Sequence, residues 1–268
     1  MKNKKITATL TAIAATFTAV SFSACGGKKT TIELAGSTSV EPLMGVLADA
    51  YMSKHKDVEV RVEGGGSSVG VSNAKEGKGD FGMASKSVSE DGVTAVKICD
   101  DGIVVVVNKE NALTDVTGEQ LYEFYTAGTP IGVATLPVAR ESGSGTRDAF
   151  EELVKNAEGD KLKDQAVRAS NTKEFNTTGG ALTEIRTSAV SLGYISLGSY
   201  EDSVKKLTFN GVAGTAENIK NGSYQLARPF NILYNTEKGL SEAARSFLNF
   251  ILSDEGQAIV AEEGYVTL

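Results

Sequence analysis

One stretch of the chain combines a guanidinium group with glycines and small hydroxyl residues, in the order Arg140-Glu-Ser-Gly-Ser-Gly-Thr-Arg147. It follows an extended segment and opens a helical pattern whose apolar face carries Phe150, Leu153 and Val154. A Gly/Ser/Thr loop at a helix start presents unpaired backbone N–H groups at the positive end of the helix dipole. Such a loop favours an anion, and the planar fork of Arg140 matches two oxygens of a tetrahedral oxyanion. Taken alone, the stretch fits a capped helix after a flexible turn equally well.

Three further loops repeat this arrangement of small residues ahead of a helical pattern. They are Gly36–Ser39, Gly64–Gly70 and Asn176–Gly180. In the first loop, Thr38 and Glu41 have the spacing of a capping box. The chain therefore contains several predicted helix starts that carry hydroxyl and N–H donors.

Strands alternate with helical patterns along the chain, which predicts an α/β fold with its site at the carboxyl ends of the strands. The β-branched run Gly102–Val107 is typical of a strand buried on both faces of a largely parallel sheet. The loops at Gly36 and Gly143 look like duplicates. Two lobes, each a mostly parallel sheet flanked by helices, would then share one cleft that holds the ligand.

Extended segments near Val107 and Arg228 are natural places for the chain to cross between the lobes. We therefore expect a discontinuous first lobe, made of residues 32–107 and a return segment of residues 229–268. Residues 108–228 would form the second lobe, and the two crossings would act as hinges for closure.

The N-terminus has the pattern of a secretory signal peptide over residues 1–24, with three lysines ahead of an uncharged run. Seven Thr or Ser residues in that run make it a poor membrane-spanning helix. The cleavage context ends on Cys25 and resembles the lipobox of bacterial lipoproteins, although Phe22 stands where that motif usually has Leu. The resemblance implies that Cys25 is lipidated, with residues 25–31 as linker, and that the exported protein is anchored on the outer face of a bacterial cell membrane.

Charge and cysteine content exclude several classes of function. The formal net charge is −7, and about −10 without residues 1–24, because 24 basic residues then face 34 acidic ones. Such a chain has no basic footprint for nucleic acid. Two cysteines and one histidine argue against a structural zinc site, and Cys99 is predicted to be a small buried residue without a disulfide. We expect neither a metal ion nor a cofactor.

The sequence Gly66-x-Ser68-x-Gly70 matches the nucleophile elbow of serine hydrolases. That chemistry needs a base, usually a histidine that follows the serine in the chain, whereas the only histidine, His55, precedes it among lysines. The chain has neither a Gly-x-x-x-x-Gly-Lys phosphate loop nor a Gly-x-Gly-x-x-Gly dinucleotide motif. The hydroxyls and glycines therefore predict binding, and we expect the protein not to be an enzyme.

From Ile32 to Leu268 the chain resembles the phosphate-binding protein of bacterial phosphate ABC importers, which has the type II periplasmic-binding-protein fold. The resemblance is carried, in this order, by Gly36-Ser-Thr-Ser-Val-x-Pro42, Gly66-Ser-Ser68, Asp80-Phe-Gly-Met-Ala-Ser85, Arg140-x-x-Gly-Ser-Gly-Thr146, Gly193-Tyr-Ile195 and Ser253-Asp-Glu-Gly-Gln257. Each motif is weak alone, and their combination in this order is specific.

The resemblance implies that phosphate is held by residues of both lobes. Arg140 would take two phosphate oxygens, and Gly145 would donate its backbone N–H. The implied phosphate ligands are Thr38, Ser39 and Ser67 from the first lobe, with Arg140, Ser144, Gly145 and Thr146 from the second. Ser85 is a further candidate donor.

The chain departs from the family at Lys86, where many members have an aspartate that accepts the proton carried by phosphate and absent from sulfate. Lys86 could add a positive charge at the ligand or extend to solvent. Discrimination against sulfate would then rest on Glu141, on a hydroxyl lone pair or on a backbone carbonyl.

The resemblance implies a monomeric lipoprotein that captures inorganic phosphate between two lobes and delivers it to a membrane ABC permease. A receptor for another tetrahedral oxyanion, sulfate or molybdate, is the alternative within the same class. A serine-type hydrolase and a surface adhesin or sensor are alternatives from other classes.

Overall fold

The computed structural model describes residues 29–268, with the exception of residue 167. The predicted signal peptide and Cys25 lie outside the described residues. Within the described part of the chain, no helix has the combination of length and hydropathy that crossing a bilayer requires.

Helices and strands alternate over most of the described chain. The first half forms β1 (Thr30–Gly36), α1 (Glu41–Lys54), β2 (Val58–Gly64), α2 (Ser67–Glu76), β3 (Phe81–Ala84), β4 (Val93–Asn108), β5 (Asp115–Val116) and α3 (Gly118–Thr126). The second half forms β6 (Leu136–Arg140), α4 (Gly145–Leu153), β7 (Lys173–Phe175), α5 (Thr178–Thr187), β8 (Ser191–Ser196), β9 (Val204–Lys206), β10 (Thr208–Phe209), α6 (Ala216–Lys220), β11 (Ala227–Asn235), α7 (Glu242–Leu252) and α8 (Asp254–Glu262).

One continuous sheet joins the two halves of the fold, with strand order β2-β1-β3-β11-β4-β8-β6-β7 and β9 paired to β4. Strands β1, β2 and β3 are parallel, and so are β6, β7 and β8. The long strand β4 pairs with β11 up to Gly102 and with β8 from Ile103 onward, antiparallel in both cases. Each half is therefore a mostly parallel sheet, as the sequence predicts, and each contains one reversed strand.

The run Gly102–Val107 is buried as its composition predicts, but its neighbours are antiparallel. Its side chains from Ile103 to Val107 have no exposed surface, and they pair with β8 and β9 running in the opposite direction. A continuous β-branched run indicates burial on both faces of the strand and does not specify its direction, and β4 is a reversed strand within a largely parallel sheet.

Two large hydrophobic clusters mark the two lobes within the described residues. The first contains residues of β1–β3, α1, α7 and α8, and includes Cys99, a free thiol whose pKa burial raises well above its ordinary value. The second contains residues of β6, β8 and α3–α5. Along the chain, membership changes from the first cluster to the second between Cys99 and Ile103 and back between Leu226 and Phe230, and Val266 near the C-terminus packs in the second cluster. On this basis we propose that the lobes divide near residues 102 and 227, rather than at 107 and 228.

Helix α2 lies very close to β3 because glycines face each other across the contact. A Cβ atom on Gly70 would lie 2.4 Å from the carbonyl oxygen of Met83, and one on Gly82 would lie 2.1 Å from the carbonyl oxygen of Gly70. Only glycine leaves room for two backbones at this distance. The contact places the start of α2 beside the end of β3, so that Ser67 lies next to Ser85.

Gly70→Ala is expected to destabilise the fold by about 1–3 kcal/mol, because its methyl group would overlap the β3 backbone. Gly45→Ala on α1 is the matched control, since nothing lies within 4 Å of a Cβ atom built there. That variant is expected to gain about 0.5–1 kcal/mol from lower backbone entropy in the unfolded state. Urea unfolding measures both changes, and a Gly70→Ala protein as stable as the wild type would contradict this packing.

Candidate anion-binding site

The first residues of α2, α4 and α5 lie together with the loop that precedes α1. Ser144 caps α4 by accepting the Arg147 N–H at 3.4 Å, and Thr177 caps α5 by accepting the Gly180 N–H at 3.0 Å. Helix α2 has no side-chain cap, because its N-cap residue is Gly66 with φ of 91°. Free N–H groups and the positive ends of the helix dipoles are thus concentrated between the lobes.

Hydroxyl groups from both lobes meet at this point. The Ser39 hydroxyl lies 2.8 Å from that of Thr146 and 3.1 Å from that of Thr178. The Thr38 hydroxyl lies 3.4 Å from Thr178 Oγ1. Ser39, Thr146 and Thr178 are buried, so each hydroxyl depends on a neighbour or a ligand for its hydrogen bonds.

A second group of hydroxyls continues the cluster along the first lobe. Ser37 donates its hydroxyl hydrogen to Ser85 Oγ at 2.9 Å, and Ser85 Oγ lies 3.3 Å from Ser67 Oγ. Ser67 also accepts the Ser85 backbone N–H at 3.1 Å. The second lobe reaches this group at Gly145, where a Cβ atom would lie 2.2 Å from Ser67 Oγ. The lobes come this close only because position 145 is glycine.

The Arg140 guanidinium provides the positive charge of the cluster, and its side chain is 3% exposed. Its Nε and Nη2 atoms donate to the two carboxylate oxygens of Glu141 at 2.9 and 3.0 Å. Its Nη1 donates to Thr178 Oγ1 at 2.9 Å, and Nη2 also donates to Thr38 Oγ1 at 3.0 Å. Arg140, in the second lobe, therefore already contacts a hydroxyl of the first lobe.

Packing behind β6 fixes the position of Arg140. Its backbone N–H donates to the Tyr194 hydroxyl at 3.3 Å, and its carbonyl accepts from Arg147 Nη1 at 2.9 Å. The Tyr194 ring stacks on Phe150 with centroids 3.8 Å apart. Burial raises the pKa of Tyr194 above its ordinary value, so the hydroxyl stays neutral at physiological pH.

Most of the residues predicted to bind the anion lie in this cluster. Thr38 also corrects a detail of the sequence analysis, because α1 begins at Glu41 without a side-chain cap and the Thr38 hydroxyl accepts from Arg140 instead of capping the helix. That the residues of this cluster bind an anion stays a prediction. The predicted residues found together are Thr38, Ser39, Ser67, Ser85, Arg140, Gly145 and Thr146.

Ser144 and Lys86 have other contacts. The Ser144 hydroxyl faces the first turn of α4 as its cap. Lys86, in the first lobe, forms an ion pair with Asp148 on α4 in the second lobe. Sequence reasoning offered the ligand or the solvent as partners of Lys86, and it did not anticipate a carboxylate from the opposite lobe.

Two residues of the cluster were not identified from the sequence. Thr178 contacts Ser39, Thr38 and Arg140, and Ser37 contacts Ser85. The loop Asn176–Gly180 has the same pattern of small residues before a helix as the other predicted loops of the site. This pattern is the signal that could have identified Thr178. Ser37 is part of the motif Gly36-Ser-Thr-Ser-Val-x-Pro42 without being one of the family's implied ligands.

The cluster contains donors for an anion, and the histidine of the chain lies outside it. His55 ends α1 with its ring stacked on Tyr51 at 4.0 Å. Because α1 has 14 residues, this end lies about 21 Å from the end that adjoins the cluster. Ser68 contacts the second lobe through its backbone, whose N–H donates to the Gly143 carbonyl at 3.1 Å. Among the residues that the structure describes, no three His, Cys, Asp or Glu side chains group as metal ligands.

A family model described as a PBP superfamily domain matches residues 23–255. The chain therefore belongs to this superfamily of periplasmic binding proteins, and the predicted two-lobed fold is confirmed. The chain is similar to the structure of a phosphate ABC transporter substrate-binding protein from Clostridium perfringens with bound phosphate. The identity is 35% and the TM-score 0.82, over 89% of this chain and 100% of that one.

Two further relatives agree with this assignment. An ABC-type phosphate transport receptor from Vibrio cholerae is 32% identical with a TM-score of 0.68, over 89% of this chain and 100% of that one. The phosphate-binding protein PstS 2 of Streptococcus agalactiae is 43% identical over 136 residues, which are 49% of this chain and 45% of that protein. The match to this curated relative thus spans about half of its length.

Gly145→Ala is expected to hold the lobes apart, because the added methyl group would lie 2.2 Å from Ser67 Oγ and 2.8 Å from Ser85 Oγ. Small-angle X-ray scattering should then give a larger radius of gyration than for the wild type. Gly179→Ala is the matched control, at the start of another helix of the same lobe with nothing within 4 Å of the added atom. Identical scattering from the two variants would contradict the close approach at Gly145.

Proposed function

We propose that the protein captures inorganic phosphate between its two lobes and delivers it to an ABC permease at a bacterial cell membrane. The observation that carries this proposal is the buried donor cluster around Arg140, to which both lobes contribute. Ser39 of the first lobe lies within hydrogen-bonding distance of Thr146 and Thr178 of the second. A ligand held here would contact both lobes at once, so its binding would favour the closed arrangement.

The chemistry of the cluster suits a tetrahedral oxyanion. An anion that leaves water for a closed cleft needs many donors to replace its hydration, and hydroxyls and helix N–H groups supply them. Arg140 adds one full positive charge, which Glu141 partly offsets. A net-negative protein can thus bind an anion through local dipoles and one guanidinium, without an attractive overall field.

The relatives support phosphate as the anion and import as the purpose. The names of the proteins from Clostridium perfringens and Vibrio cholerae both refer to phosphate transport, and the structure of the first contains bound phosphate. The two-lobed fold supports the delivery step, because closure around a ligand followed by opening is a standard motion of periplasmic binding proteins. We therefore place the protein outside the cytoplasm, as the substrate-binding component of an importer.

A receptor for sulfate or molybdate is the second candidate, and Lys86 is the observation that favours it. Lys86 stands where an acidic proton acceptor was expected, and its partner is Asp148 rather than the hydroxyl cluster.

Glu141 is another carboxylate that lies at the cluster, where it contacts Arg140 directly. Its side chain is 19% exposed. We propose that Glu141 accepts the proton that distinguishes phosphate from sulfate.

Isothermal titration calorimetry of the purified protein with phosphate tests this function. Arg140→Met is expected to raise the Kd by about 100-fold or more, because two charge-assisted hydrogen bonds are lost. Lys86→Met removes the same charge from a partly exposed ion pair, and it is expected to change the Kd by less than about threefold. Wild-type protein that binds no phosphate would reject the proposal. Displacement of phosphate by an equal concentration of sulfate would establish the second candidate instead.

We further propose that the mature protein is lipid-anchored through Cys25, on the strength of the signal-peptide pattern and the cysteine that follows it. Cells that express the protein should incorporate labelled palmitate into it, and Cys25→Ser should abolish the label. Cys99→Ser is the control, because Cys99 is buried in the first lobe and should not affect labelling. Label that persists in Cys25→Ser would refute the anchor.

A further inference from the structure

The two strands that connect the lobes carry a buried ion pair. Asp101 on β4 and Arg228 on β11 stand directly opposite each other in the antiparallel ladder. The Nε and Nη2 atoms of Arg228 donate to Asp101 Oδ2 at 3.2 and 3.0 Å. The side chains of Asp101 and Arg228 are 0% and 1% exposed.

Each member of the pair forms a further hydrogen bond through its side chain, and these two bonds lead to different lobes. Arg228 donates through Nη1 to the Ser85 carbonyl at 3.2 Å, at the end of β3 in the first lobe. Asp101 accepts the Ser196 hydroxyl at 2.9 Å, at the end of β8 in the second lobe. The chain of contacts from Ser196 to Ser85 therefore passes through the connecting strands and ends in the anion-binding cluster.

Strand β11 also holds the residue that follows Ser85. The Asn231 side chain donates to the Lys86 carbonyl at 2.8 Å. The backbone pairing between β11 and β3 ends at Ala84, so Arg228 and Asn231 hold the next two carbonyls with side chains. The position of Ser85 thus depends directly on the connecting strand.

Stability alone is a weak reason for such a pair. Taking two charges out of water costs about as much as their attraction returns, and apolar replacements of buried pairs are often neutral or stabilising. Burial raises the pKa of Asp101 and lowers the pKa of Arg228, which is the direction expected when both charges are desolvated. What the pair provides is geometry, because every one of its hydrogen bonds has a fixed direction.

We propose that Asp101 and Arg228 are positioning residues, which set Ser85 for anion binding and couple its position to the angle between the lobes. Bending of β4 and β11 during closure would move both residues together. Ser196 would transmit the position of the second lobe to Asp101, and Arg228 would transmit it to Ser85. This inference rests on the proposed function, since it concerns the same site.

Ser196→Ala tests the coupling with the smallest change. It removes the hydroxyl that donates from the second lobe to Asp101 and is expected to raise the Kd for phosphate by about tenfold, the effect of one hydrogen bond to a charged group. Ser191→Ala is the matched control, because both serines are fully buried on β8 and Ser191 bonds instead to Ser188 at 2.8 Å. The control should bind phosphate as tightly as the wild type.

The double variant Asp101→Asn/Arg228→Met separates positioning from stability. It leaves no unpaired buried charge, so its melting temperature is expected to stay within a few degrees of the wild type. It also releases the Ser85 carbonyl, and phosphate binding should weaken by at least about tenfold. The decrease in radius of gyration when phosphate is added, measured by X-ray scattering, should become smaller in this variant and in Ser196→Ala.

Wild-type affinity and wild-type closure in Ser196→Ala would overturn the inference, whatever the stability of the double variant. Equal weakening by Ser196→Ala and Ser191→Ala would also overturn it, because the effect would then be a general loss of packing. Wild-type protein that fails to bind phosphate would instead reject the proposed function, so the two failures can be told apart.

Discussion

The buried guanidinium of Arg140 is the constraint on which the arrangement of the second lobe depends. A charge taken out of water costs several kcal/mol unless hydrogen bonds and an opposite charge surround it. Glu141 supplies the opposite charge, and two hydroxyls and the Phe175 carbonyl also accept hydrogen bonds from the guanidinium. Meeting these requirements places the ends of β6 and β7 beside the start of α5. The first lobe adds neutral hydroxyls and the N–H groups at the start of α2, so closure brings uncharged donors towards a charge that Glu141 partly offsets.

The connection between the lobes is as important as the cluster itself. Two strands of one continuous sheet join the lobes, and β4 exchanges its partner β11 for β8 at Gly102. A sheet resists sliding because its ladder fixes the register, and it allows bending and twisting. The connecting strands pass directly beside Ser85 at the anion cluster. Motion of the lobes and geometry of the site are therefore linked by a short path of hydrogen bonds.

The sequence predicted the features that depend on local pattern, and it missed those that depend on distant partners. Small residues before helical runs correctly located the starts of α2, α4 and α5, and apolar β-branched residues located the buried part of β4. The sequence did not specify that β4 runs antiparallel to its neighbours, because burial does not encode strand direction. The contact of Thr38 with Arg140 spans 102 positions, and the ion pair of Lys86 with Asp148 spans 62. No local spacing rule reaches that far, so the spacing of Thr38 and Glu41 predicts a helix cap instead, and nothing in the sequence near Lys86 indicates its partner.

The hydrogen bonds within the cluster explain why neutral hydroxyls suffice for an anion. Thr38 and Thr178 accept hydrogens from Arg140, and Ser67 accepts the backbone N–H of Ser85. A hydroxyl that has accepted one hydrogen bond still has its own hydrogen to donate, and its polarised O–H bond makes it a better donor. The guanidinium would thus act on the proposed ligand directly and also through the hydroxyls it contacts. Because Glu141 lies with Arg140 in the same lobe, opening of the cleft would leave neither of these two charges without its partner, and the proposed anion could be released without that cost.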